Sequence, residues 1–199
     1  MTVTRERFEQ GMTYDEYKAQ MTRNKERFIE NEHQLELDPQ DLAVFQHLPR
    51  PLDVLVLAED WCGDVIANLP ILGRLTAESG TLHLRIFLRD QNPDLMDQYL
   101  NHGQFRSIPV FVFFDEQFHE LGRFIERPAS VTERNAQQRR KLYEEHPEFG
   151  TPDTPIAQLP EEVRGQLMEA MAAFREESRS ANNRDVVDAL CEIVKAVSA

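Results

Sequence analysis

Trp61-Cys62-Gly63-Asp64-Val65 is the stretch of this chain whose residue types and spacing could do chemistry. The apolar run Leu52-Asp53-Val54-Leu55-Val56-Leu57 precedes it, and an apolar helical pattern follows. A strand that stops at a Trp-Cys-Gly turn and feeds a helix sets the Cys sulfur at the helix N-terminus. There the backbone N–H groups and the helix dipole favour thiolate over thiol. Cys62 is therefore the candidate nucleophile. Glu59, Asp60 and Asp64 oppose this, because nearby carboxylates disfavour another negative charge. The two influences together predict at most a modest lowering of the thiol pKa. Asp64 is suited to capping the helix that it helps to open, with general acid/base work for the thiol as the alternative. Trp61 reads as an apolar rim beside the sulfur or as ordinary core.

A redox Cys-x-x-Cys pair would need its second Cys where Val65 stands. The site has one sulfur and no built-in partner, so a mixed disulfide formed on it must be released by an outside thiol. Cys191 lies on the apolar stripe of a C-terminal helical pattern and reads as a buried core thiol. Hard carboxylates around one soft thiolate fit no common structural metal site, and the histidines show no ligand spacing. No metal and no resident cofactor is expected; a low-molecular-weight thiol could serve as a co-substrate.

The elements that must position Cys62 can be read along the chain. Thr13-Tyr14-Asp15-Glu16 is a capping box opening an amphipathic helix over about 14–31. Asp38-Pro39 starts a short helix that Pro49-Arg50-Pro51 ends. The run 52–58 reads as a strand buried on both faces. The helix 63–78 follows, with Pro70 expected to kink it. Thr81 to Leu88 is a second strand, and strand–helix–strand of this length implies a right-handed parallel crossover. A short helix at Asn92-Pro93-Asp94, a third strand Val110–Phe114, a turn at 115–117 and a fourth strand Phe118–Ile125 follow, with Gly122 a candidate bulge. Ser130-Val131-Thr132-Glu133 is a further capping box, opening a polar helix that runs to about Glu145. The Pro-rich connection from Pro147 to Pro160 leads to two helices, about 160–178 and 183–197.

At this point the chain resembles the thioredoxin-like superfamily. Trp61-Cys62-Gly63 matches the start of that family's Trp-Cys-Gly-Pro-Cys motif, and Pro70 matches a proline in the helix after it. Arg106-Ser107-Ile108-Pro109, leading Val110–Phe114, is similar to the family's cis-proline loop beside the active-site sulfur. The resemblance covers roughly residues 51–146. It implies an α/β fold, a thioredoxin-like three-layer α/β/α sandwich with a mixed sheet of about four strands and helical extensions at both termini. The implied division is an N-terminal helical extension (1–50), the thioredoxin-like core (51–146) and a Pro-rich connection with C-terminal helices (147–199). Cys62 is the implied catalytic residue, with Trp61, Gly63, Asp64, Ile108 and Pro109 around the substrate. The chain departs from the family at Val65, which replaces the second Cys, and at Val56, where the family carries a buried Asp that assists proton transfer to that Cys.

Composition bounds the rest. Hydrophobic residues make up 41% of the 199, with 12 Phe, enough for a sizeable core. The net charge of −13 repels phosphate backbones, so nucleic acid is not an expected partner. No apolar run approaches a membrane span, and the first residues lack the apolar core of a signal peptide; a cytoplasmic protein is expected. Two functions compete. One is monothiol thiol–disulfide chemistry at Cys62 with an external resolving thiol, from a protein or a small molecule. The other is a non-catalytic binding or scaffold protein that uses the Pro109 groove or the appended helices, as a homodimer or with another partner.

Overall fold

Leu52–Ala58 is buried at every residue because it is an inner strand, β1, with neighbours on both sides. In the computed structural model, which describes residues 3–198, the order in the sheet is β2-β1-β3-β4. The other strands are β2 (Leu82–Leu88), β3 (Val110–Phe114) and β4 (Glu120–Ile125). β1 and β2 are parallel, Leu52 opposite Leu82 through Ala58 opposite Leu88. β3 runs antiparallel to both β1 and β4. The protein is thus an α/β fold on an open, mixed four-stranded sheet, accompanied by eight α-helices among the described residues.

The helices are α1 (Arg5–Phe8), α2 (Tyr14–Gln20), α3 (Lys25–Gln34), α4 (Pro39–Gln46), α5 (Gly63–Ser79), α6 (Pro93–Met96), α7 (Ala129–Glu145) and α8 (Glu161–Ser198). None is long and apolar enough to cross a membrane. α5 is the crossover between β1 and β2. It starts at the Cys62 cap, continues through Pro70 and ends where Gly80 takes a left-handed φ of 70°.

The helix expected over 14–31 is two helices. The Thr13–Glu16 capping box forms with both halves in place. The chain then leaves helical geometry at Met21, and the amides of Thr22 and Arg23 donate to Asp60 Oδ2 at 2.7 and 2.9 Å. A carboxylate from the β1–α5 turn takes the donors that would have continued the helix. Asn24, at a φ of 53°, starts α3. Tyr17, Phe28 and Phe45 are fully buried in the same core as the sheet. Met12 adds a contact that no pattern announced: it exchanges backbone hydrogen bonds of 2.9 and 2.8 Å with Ile86, capping the outer edge of β2.

β4 starts later than the alternation suggested. Asp115 Oδ1 accepts from the amides of Gln117 and His119 at 2.8 and 2.9 Å, and Phe118 has a φ of 63°, so this segment is a loop rather than a strand. The bulge lies beside Gly122: Phe113 faces Gly122 while Phe114 faces Glu120, leaving Leu121 as the extra residue.

The chain divides into two compact units. One runs through Arg127 and includes the segment from Val186; the other is Pro128–Asp185. The second has its own small core of Leu142, Tyr143, Phe149 and Leu167. Its Ser130 does not close a capping box: the hydroxyl donates to Asp185 at 2.9 Å, and α7 starts directly after Pro128. The two helices expected over 160–178 and 183–197 are one, α8. No Pro or Gly interrupts the segment between them. Arg134 bonds both Asn182 and Asp185, and Asn182 reaches Ser178 at 3.3 Å, so the polar stretch stays helical.

Candidate active site around Cys62

β1 ends at Ala58 and the chain turns through Glu59-Asp60-Trp61 to put Cys62 at the N-cap of α5, with φ −84° and ψ 123°. Across from it, the Ile108–Pro109 peptide bond is cis and leads into β3. The Cys62 S–H donates to the Ile108 carbonyl oxygen at 3.5 Å. The β1–α5 turn and the loop before β3 therefore meet at the sulfur. Cys62 is a partly exposed free thiol.

The chemistry of that thiol differs from what its position alone suggested. Burial pushes the Cys62 thiol above its ordinary pKa. The amides of Val65 and Asp64, at the start of α5, work in the opposite direction, and the carboxylates of Asp64 and Glu126 add to the rise. Where at most a modest lowering was expected from the helix N-terminus and the carboxylates together, the direction is a rise, because burial outweighs the amide pair.

The other expected site residues divide by role. Trp61 is 42% exposed, and the Arg89 guanidinium lies 4.7 Å from its ring centroid. Arg89 also donates to the Arg106 carbonyl at 3.2 Å, which ties the Trp61 rim to the segment entering Ile108. Gly63 faces open space: a Cβ built there meets no atom within 4 Å. Asp64 is held by Arg127, whose Nη1 donates to both carboxylate oxygens at 2.6 and 2.7 Å. Burial raises the Asp64 pKa and Arg127 works against that rise.

Several site residues escaped sequence reasoning. Arg127 also bonds Glu126 at 2.6 Å, which makes a carboxylate–guanidinium–carboxylate row beside the sulfur. Glu126, at a φ of 63°, is fixed from three sides. Its amide donates to Pro109 O at 2.7 Å, its carbonyl accepts from Asn68 at 2.8 Å, and its Oε2 accepts from Asn101 at 3.0 Å. A signal existed: with Val110 opposite Ile125 in the β3–β4 hairpin, the next position outward sets Glu126 against Pro109. On the turn side, Glu59 is 8% exposed and its carboxylate accepts from the Asp90 amide at 2.9 Å. Burial raises its pKa. Asp60 behaves oppositely: burial works to raise it, but the Thr22 and Arg23 amides hold it below the usual carboxylate range.

The sequence model of the family described as Thioredoxin matches residues 11–140. No curated protein matches the chain. Among solved structures, a protein of unknown function from Pseudomonas aeruginosa superposes with a TM-score of 0.60 at 20% identity, covering 89% of this chain and 99% of that one. An HIV epitope-scaffold superposes with a TM-score of 0.61 at 16% identity, covering 94% of each chain. At these identities the likeness concerns the fold alone.

Proposed function

Because the chain belongs to the thioredoxin family, we propose that it carries out thiol–disulfide exchange with Cys62 as its single redox sulfur and an external thiol as the resolving group. The observation that carries this reading is the partly exposed residue Cys62 at the start of α5, its sulfur 3.5 Å from the carbonyl oxygen of Ile108 before the cis Pro109. Cys62 loses its proton to solvent, and the thiolate attacks one sulfur of a disulfide R–S–S–R′. The Cys62–S–R bond forms, the original S–S bond breaks, and R′–S⁻ departs and takes up a proton. An outside thiolate then attacks the R sulfur and returns Cys62 to its thiol. A small thiol is a co-substrate in this scheme, and the protein works in the cytoplasm.

The surrounding residues have matching tasks. The backbone beside Ile108 and Pro109 holds the substrate chain, Trp61 forms an apolar rim, and open Gly63 leaves room above the helix start. Asp64 is spoken for by Arg127, which supports a structural part for it rather than proton transfer. A raised thiol pKa makes Cys62 a poor leaving group, which slows the attack by which the outside thiol resolves its mixed disulfide. The test is stoichiometry. Wild-type protein mixed with a peptide disulfide should release one leaving thiol per chain in a burst, and added glutathione should restore the burst. Cys62→Ser should give none; an equal burst from that variant removes Cys62 from the mechanism.

One observation favours a second reading. Burial pushes the thiol toward its protonated form, which suits a protein that binds in the Pro109 groove without reacting there. In that case Cys62→Ser retains full peptide binding and the wild type gives no burst.

A further inference from the structure

We propose that Asn101 is the positioning residue for the loop that faces Cys62: its side-chain amide ties Ser107, the neighbour of Ile108, to the Glu126 carboxylate. The proposal deepens the reading above and rests on it, with Cys62 as the redox sulfur and the Ile108 backbone as the holder of the substrate chain. Asn101 stands where the connection from α6 to β3 folds back on itself. Its amide donates to the Phe105 carbonyl at 2.8 Å, and its carbonyl accepts from the Phe105 amide at 3.0 Å. Between them His102 and Gly103 both take a left-handed φ, 51° and 70°, which closes a tight turn of the hairpin kind. From this turn the Asn101 side chain reaches two partners. Nδ2 donates to Ser107 Oγ at 3.3 Å and to Glu126 Oε2 at 3.0 Å. An ionised carboxylate only accepts, so Glu126 fixes which end of the Asn101 amide points at it.

These bonds close a ring around the sulfur. Cys62 Sγ donates to Ile108 O at 3.5 Å, and Ser107 beside Ile108 is held by Asn101. Asn101 is held by Glu126, and Glu126 accepts from Arg127 at 2.6 Å. Arg127 donates to Asp64 at 2.6 and 2.7 Å, two residues along from Cys62. The other ties of the loop are weaker. Residues 102–106 are exposed, Phe105 at 59%. Arg106 pairs with Asp97 at 2.7 Å, but both side chains are more than half exposed, and a pair of that kind is worth little. The Ile108 side chain is buried, which sets its depth and leaves the direction of its carbonyl to the polar contacts around it. The Asn101 amide is half-buried and its acceptor is charged, which makes the stronger kind of bond. Without it, Ser107 and the Ile108 backbone are free to shift while Arg127 still anchors the start of α5.

The experiment compares wild type with Asn101→Ala in the full chain, with melting curves to confirm the fold. Three rates are read: thiol release from a peptide disulfide, thiol release from hydroxyethyl disulfide, and alkylation of Cys62 by iodoacetamide. The peptide uses the Ile108 backbone, and the two small reagents do not. The expected result is a peptide rate down about ten- to hundredfold, the scale of loss from a misplacement of about 1 Å, with both small-reagent rates within about twofold of wild type. A fall shared by all three rates, or by none, overturns the proposal. The bond itself is tested by exchanging its partners. Asn101→Asp sets two carboxylates together, and Glu126→Gln sets donor against donor whichever way the new amide turns; each should lower the peptide rate. The two changes together should restore it, because the amide at position 126 then donates to the carboxylate at position 101 and Ser107 turns its hydroxyl to donate as well. A double variant no faster than the single ones overturns the proposal. Should Asn101→Ala not fold, Ser107→Ala takes away the acceptor in the loop and is read by the same three rates. If wild type releases no thiol from either disulfide, the thiol–disulfide reading fails, and hydrogen exchange of the Phe105 amide decides on Asn101 separately. Exchange about tenfold faster in Asn101→Ala upholds its hold on the loop, and unchanged exchange overturns it.

Discussion

Gly73→Ala tests how α2, the helix that carries both Tyr14 and Tyr17, is seated on the helix that presents Cys62. A Cβ at position 73 would lie 2.3 Å from Tyr14 Cζ, 2.5 Å from its Oη and 2.7 Å from its Cε2, where ordinary contacts begin near 3.4 Å. The ring must retreat by about 1 Å (3.4 − 2.3), and it is not a loose side-chain end. Phe28 lies 5.9 Å from it, the Lys18 ammonium sits 4.5 Å from its centroid, and its hydroxyl is buried. Overpacking of this kind costs about 1–3 kcal/mol. Replacing Gly by Ala inside a helix returns about 1 kcal/mol. The net expectation is a loss of about 0–2 kcal/mol, and the sign is clearest in a double-mutant cycle. In a Tyr14→Ala background the clash is gone, so the same Gly73→Ala change should stabilise by up to about 1 kcal/mol. Urea unfolding of the four proteins measures a coupling of about 1–3 kcal/mol between the two positions. An equal effect of Gly73→Ala in both backgrounds refutes the claim that the small residue is there for Tyr14.

Neighbouring carboxylates in the turn give opposite pH signatures. Burial raises the Glu59 pKa above its unfolded value, so the native state holds more protons and stability falls as pH rises from the ordinary carboxylate range through the raised value. Glu59→Gln keeps an acceptor for Asp90 and should abolish that fall, gaining on wild type between pH 4 and 8 in thermal melts. The Asp60 pKa is lowered in the fold, so its contribution is present above the unfolded value and lost as pH drops through the folded one. Asp60→Asn should lose about 1–2 kcal/mol at neutral pH and show a weaker acid dependence than wild type. Val56 is fully buried between Ile86 and Phe111. Restoring the family's acid there, Val56→Asp, should cost about 3 kcal/mol or more by denaturant unfolding, because no second Cys and no added donor compensates it.

What was legible in the sequence is what local patterns encode. β3 is an unbroken apolar run and β1 is apolar but for Asp53, and buried strands of that kind need no partner to be recognised. α5 is bounded by Cys62 and Gly80, and the Thr13–Glu16 box is spelled out in four residues. What was missed depends on residues distant in sequence. Asp60 splits one amphipathic helix into α2 and α3 by drawing off two amides, which no periodicity can foresee. The later start of β4 follows from an Asp115 turn that competes with strand geometry. At the site, Cys62 was found by its position, but the direction of its pKa was not, because burial is set by what packs over the sulfur rather than by the helix it caps. Arg127 and Glu126 join the site only when the β3–β4 hairpin is in place.

The most direct test of the central claim is a peptide mass map of the reduced, full-length protein after incubation with glutathione disulfide across pH 6–10. The account predicts a glutathione adduct on Cys62, formed faster as pH climbs through and beyond the ordinary thiol range and removed by excess thiol. Cys62 left unmodified even at the alkaline end, in a protein that remains folded, would contradict it.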